Sequence, residues 1–237
     1  MILDAAGRFG FGPSLVVALL AAALVALVSV TSGAYPLAFG DILSVRTGRE
    51  ANDPVASMVL LEVRMPRFLL GFLVGAVLAV SGALLQGMFR NPLADPGLIG
   101  VSAGASLAAI AVIVLGNTWL GGWLAMTGEW ALPIAAFLGG SGTVLLAWRV
   151  ANKSGQTAVA TLLLAGIAIN AIAGAATGLL TFYANDEELR SLTFWTMGSI
   201  AHASWEDIRM LLPWMLLLVI VVSPSIKKKR EEAFVEE

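Results

Sequence analysis

Two uncharged runs, Phe68 to Met88 and Leu98 to Leu115, constrain this chain more than any other feature. Each is apolar enough, and about long enough, to cross a hydrocarbon layer roughly 30 Å thick, which takes about 20 helical residues. Hydrocarbon offers no partner to an unpaired backbone group, so an apolar span of this length must be a helix. Four more apolar stretches give six expected spans in all: 14–31, 67–88, 98–115, 131–148, 157–183 and 208–223. The composition agrees. Charged residues make up 13% of the chain, against about 25% in soluble domains. The expected fold is an all-α integral membrane protein, one transmembrane domain over residues 1–237 with about six transmembrane helices.

The same composition removes several kinds of chemistry. A net charge of −2 makes no case for nucleic acid. With no cysteine there is no disulfide, thiolate metal site or cysteine nucleophile, and one histidine precludes a multi-histidine site. No G-x-x-x-x-G-K-[ST] stretch occurs, so ATP would have to be used, with magnesium, by a separate subunit. The spans offer no cluster of catalytic groups, only Asn170 and scattered hydroxyls. The chain is expected to be a non-enzyme with no bound cofactor or metal of its own.

Taken in order, Leu15 to Val30 follows Asp4 and Arg8. Ser32-Gly33-Ala34 could imitate a signal-peptidase site. The run is long for a signal sequence and reads better as a first transmembrane helix. Residues 35–63, with Asp41, Arg46, Arg49, Glu50 and Asp53, read as a polar loop. Arg64-Met65-Pro66-Arg67 precedes the second span. Pro66 suits a first helical turn, and two arginines three apart share a helix face. Alternatively they snorkel at a membrane edge.

Gly71 and Gly75, then Ser81, Gly82 and Ala83, then Gly100, Ser102, Gly104 and Ala105, imply closely packed helices. Between the second and third spans, Arg90, Asn91, Pro92, Asp95, Pro96 and Gly97 form a polar turn. Asp95-Pro96-Gly97 can start the third helix. Residues 116–130 read as a loop whose Trp119, Trp123 and Trp130 suit the interfacial belt. In the fifth span Gly166, Asn170, Gly174 and Gly178 recur every four residues, a small or polar stripe on one face. Asn170 needs a helix–helix hydrogen bond or a watered cavity. Leu192 to Ile200 is too short to span and reads as a short re-entrant or interfacial helix carrying Trp195, Met197 and Ser199. His202 reads as a surface residue, and the charged stretch 224–237 as a solvated tail beginning at Pro224.

Six spans put both termini on one side. That side holds Arg8, Arg90, Arg149, Lys153, Lys227, Lys228, Lys229 and Arg230, eight basic residues; the other holds Arg46, Arg49, Arg64, Arg67, Arg190 and Arg209, which is six. The excess places both termini and the Asn91–Gly97 turn in the cytoplasm.

Three stretches together resemble one family: Arg64-Met65-Pro66-Arg67, Ser81-Gly82-Ala83-Leu84-Leu85-Gln86, and Arg90 through Ala105. Phe194 to Ser199 with Trp205 adds to the likeness. The chain resembles the FecCD-like permease subunits of bacterial ABC importers for iron-siderophore, haem or cobalamin. The resemblance implies a homodimer in the inner membrane, two cytoplasmic ATPase subunits and an extracytoplasmic substrate-binding protein docked on Arg64 and Arg67. It also implies a translocation path near Gly166, Asn170, Gly174, Gly178, Trp195, Met197 and Ser199. The expected cargo is an iron chelate, haem in preference to a siderophore, with cobalamin as the alternative. Such permeases have ten helices, and this sequence resembles their N-terminal part. The segment that couples to the ATPase has no counterpart here, so a truncated, non-transporting remnant is the third expectation.

Overall fold

The computed structural model describes residues 11–37, 54–116, 118–153 and 156–235. Asp4, Arg8, Asp41, Arg46, Arg49, Glu50 and Asp53, noted in the sequence, lie outside them. The helices are α1 (Phe11–Thr31), α2 (Pro54–Met58), α3 (Met65–Phe89), α4 (Val101–Leu115), α5 (Gly121–Thr127), α6 (Ala131–Ala151), α7 (Val159–Tyr183), α8 (Asp186–Met197) and α9 (Trp205–Val235). A wide helical turn, Val59–Arg64, joins α2 to α3, and 3₁₀ turns occupy Pro96–Ile99 and Gly128–Trp130. Asn152–Lys153 and Gln156–Thr157 pair as a two-residue antiparallel bridge. Among the described residues four helical stretches are long and apolar enough to cross a membrane: 12–31, 54–89, 121–151 and 159–183. The apolar helix α4 is shorter, and the sixth expected span lies within α9.

Four local expectations are corrected. Residues 54–63 are helical rather than loop, so Pro66 stands well inside a helix instead of in its first turn. Proline lacks an N–H and its ring crowds the preceding turn. The turn before it is widened, with Met65 N–H donating to Leu60 O, and this makes room for the ring. The third span starts at Val101, not Leu98, because Gly100 at φ +88° separates the 3₁₀ turn from α4. The stretch 116–130 contains α5 and a 3₁₀ turn. The last helix passes through Pro224 to Val235, where Lys, Arg, Glu and Ala all favour helix.

The chain divides into two compact units, with the boundary inside α3. The first holds α1, α2, the start of α3 and α9. Ala56, Leu60 and Pro66 are buried in it, as is Ile208 of α9. Leu61 O has lost its ordinary helical donors, since Met65 N–H is used at Leu60 and Pro66 has none. Trp205 Nε1–H takes that carbonyl at 3.0 Å. By contrast α1 exposes Leu20, Leu24 and Val25 along its length, which suits a helix facing lipid.

The second unit, Ala76–Ser199, is built on α4, α6 and α7. Lipid tails are as apolar as leucine, so these helices associate through close backbone packing rather than hydrophobic burial. A Cβ on Gly104 would lie 2.7 Å from Gly139 O, and one on Gly139 would meet the Gly104 backbone. Thr143 Oγ1–H of α6 donates to Gly100 O at 3.1 Å beside this crossing. Ile110, Val114 and Leu192 form a buried cluster that seats α8 on the far end of α4. Ile99, Ala147, Leu162 and Ile169 form another at the turn end.

Candidate functional site

Three groups of residues carry the chemistry the sequence points to. The first is the arginine pair of the first unit. A helix ends with carbonyls that have no intrahelical donor. At the end of α1, Val30 O and Thr31 O accept from Arg64 Nη1–H at 2.7 and 2.9 Å. Arg64 Nη2–H donates to Tyr35 O just beyond. The Arg64 side chain is buried, with 6% of its surface exposed. Its place is available because residue 33 is glycine: a Cβ there would lie 2.7 Å from Arg64 Nη2. Arg64 therefore caps α1 and does not present a free charge.

Arg67 is half-buried. Its Nη2–H donates to Ala201 O, while its Nε is buried with no acceptor among the described residues. Beside it lies a groove of about 420 Å³, lined by α1 and the first turns of α3.

The second group is the turn after α3. Arg90 has φ +48° and Asn91 N–H reaches back to Gln86 O at 3.2 Å, which closes the end of α3. Asn91 Oδ1 accepts from Leu93 N–H at 2.9 Å, and Pro92 between them has a fixed φ. Asp95 Oδ1 accepts from Gly97 N–H at 2.7 Å and caps the 3₁₀ turn begun by Pro96. The inner side of the turn is held from α7. Asn170 Nδ2–H donates to Gly97 O at 3.2 Å, and a Cβ on Gly166 would overlap the Leu98 carbonyl. The turn is thus a braced corner, with Ala94 and Ile99 buried and Leu93 83% exposed at its tip.

The stripe on α7 consequently divides. Gly166 and Asn170 pack on the turn, while Gly174 and Gly178 are exposed with nothing within 4 Å of where a Cβ would stand.

The third group is α8. Asn185 accepts from Glu187 N–H and Glu188 N–H, and the Glu188 carboxylate accepts from Asn185 N–H, a reciprocal cap. Leu192 anchors this twelve-residue helix on α4. Trp195 is half-buried, and Met197 and Ser199 are exposed. His202 is exposed, and among the described residues no three His, Asp or Glu side chains gather as a metal site.

Sequence reasoning missed Gly33, Gly139, Thr143 and the role of Trp205. Gly33 carried a signal only as part of Ser32-Gly33-Ala34. Gly139-Gly140 carried one as a small pair inside an apolar run.

Among the described residues, four helices long and apolar enough to span, with close glycine crossings in the second unit, define a multi-pass membrane protein. Residues 19–228 match the FecCD transport family, and the chain belongs to it. It is 40% identical over 185 residues to the hemin transport system permease protein HmuU of Yersinia pestis, covering 78% of this chain and 52% of that one. It is 36% identical over 199 residues to the cobalamin import system permease protein BtuC of Halobacterium salinarum, covering 84% and 50%. A solved inward-facing structure of a metal-chelate type ABC transporter superimposes with a TM-score of 0.69 at 32% identity, covering 89% of this chain and 62% of that one. The chain spans about half the length of the curated relatives it matches.

Proposed function

We propose that the chain forms part of the transmembrane path of an ATP-driven importer for an iron chelate, with haem the preferred cargo. The observation that carries this is the family match over residues 19–228, together with 40% identity to a hemin permease. Cobalamin is the second reading, favoured by the 36% identity to a cobalamin permease. The protein would work in the inner membrane as a homodimer with cytoplasmic ATPase subunits and an outer substrate-binding protein. The eight-to-six excess of basic residues supports cytoplasmic termini and a cytoplasmic Arg90–Gly97 corner. Its exposed Leu93 and Arg90 are then a surface an ATPase could touch.

Docking of the binding protein would draw on the Arg64/Arg67 end of α3. Since Arg64 is spent on α1, the charge left for a partner's carboxylate is that of Arg67. Arg67→Glu should weaken docking by reversing that charge; unchanged binding in liposomes rules the role out.

The function itself is tested by purifying the tagged chain from native membranes and assaying uptake in vesicles. Stoichiometric recovery of an ATPase, with ATP-dependent uptake of labelled haem over cyanocobalamin, supports the proposal. Recovery without an ATPase refutes it and leaves the non-transporting reading.

A further inference from the structure

We infer that Trp205 is a positioning residue for Arg67: by holding the Leu61 carbonyl, it fixes the segment whose Ala201 carbonyl holds the guanidinium. Two hydrogen bonds run in opposite senses between the same two short stretches of chain. Trp205 Nε1–H donates to Leu61 O at 3.0 Å, and Arg67 Nη2–H donates to Ala201 O. All four residues belong to the first unit.

The two bonds are coupled because both stretches are stiff. Leu61 and Arg67 stand on one continuous helical stretch, about 9 Å apart along it. On the other side, Ala203 N–H donates to Ile200 O at 3.2 Å, which closes a turn over residues 200–203. Ser204 N–H and Oγ–H both donate to Asp207 Oδ2 at 2.8 Å, which caps the start of α9. Ile200 lies beside α3, where a Cβ on Gly71 would stand 3.6 Å from its Cδ1. A segment this constrained, held at residue 205, keeps Ala201 O in front of Arg67. The indole suits the task because it donates and never accepts, and Leu61 O has no helical donor to compete with it. Leu61 is exposed, so water can satisfy its carbonyl if the indole is removed. Water does not tie residues 201–205 to α3, and that tie is what Trp205 adds. The bearing on docking rests on the reading proposed above: an arginine held in one place offers its charge in one direction.

The test needs no binding protein, so its failure is separate from a failure of the docking reading. The full chain in mild detergent is treated with phenylglyoxal, which modifies arginine guanidinium groups, and the rate at each arginine is read by peptide mass spectrometry. Arg67 should react slowly in the wild type. Trp205→Phe removes the N–H and should speed its modification about fivefold, as loss of one hydrogen bond implies. Benzothienylalanine at position 205 keeps the shape of the indole, replaces its N–H by sulfur and should give the same increase. Arg64, buried and bonded to the end of α1, is the internal control and should stay slow throughout. An unchanged Arg67 rate in both variants overturns the inference. So does an increase with Trp205→Phe and none with benzothienylalanine, which would mean that ring packing and not the hydrogen bond places the segment. Faster modification of Arg64 together with Arg67 would mean that the first unit has opened as a whole, and overturns it too.

Discussion

Arg64 and Arg67 are alike in the sequence and differ in what they hold. Arg64 is buried and donates to three carbonyls at and just beyond the end of α1. Charged hydrogen bonds of this kind contribute about 1.5–3 kcal/mol each before losses, so Arg64→Gln should destabilise the chain by about 2–4 kcal/mol. Hydrogen exchange should quicken in peptides covering residues 27–37, where the last turn of α1 loses its cap. Arg67→Gln should leave those peptides unchanged. Slow exchange there in the Arg64 variant would show that the cap does no work. The charge and position of both residues were legible in sequence, and so was their shared helical spacing. Which carbonyls they reach was not: Val30 and Arg64 are separated by a long stretch of chain, and no local pattern encodes the meeting. The same holds for Trp205, whose partner carbonyl is orphaned by a proline far earlier in the sequence.

Among the helices the glycines make the sharpest contrast. Gly71 and Gly75 form a G-x-x-x-G pair, yet a Cβ on Gly75 meets nothing within 4 Å. Gly104 closes a second such pair with Gly100, and Gly139 belongs to none, yet Gly104 and Gly139 each sit against the other's backbone. Gly104→Val should therefore overpack the α4–α6 crossing and cost about 1–3 kcal/mol or more. Gly75→Ala in the isolated chain should stay within about 0.5 kcal/mol of the wild type. Thermal unfolding followed by tryptophan fluorescence checks both, and equal losses would sink the distinction. Small residues told in advance that helices approach closely somewhere in these spans. They could not tell which faces meet, because a helix carries small residues toward lipid as readily as toward a neighbour.

For the molecule as a whole, the charge count makes a testable statement about topology. The chain has no cysteine, so single cysteines report without background. Leu93→Cys, at the exposed tip of the corner, should be labelled by an impermeant maleimide only in inside-out vesicles. His202→Cys, also exposed, should be labelled only in right-side-out ones. The opposite pattern inverts the orientation and with it the docking and ATPase assignments.

By itself the sequence determined the all-α membrane class, the approximate spans and the corner between the second and third. These follow from local rules: hydrocarbon demands internally bonded helices, and Asn, Pro, Asp and Gly in series demand a turn. Only the tertiary structure decided that Arg64 caps α1 and that Gly166 and Asn170 brace the corner while Gly174 and Gly178 stand open. It also decided that a helix continues through Pro66. Those outcomes depend on which backbone groups are left without donors and which surfaces come within contact distance, and these quantities exist only once distant segments have packed.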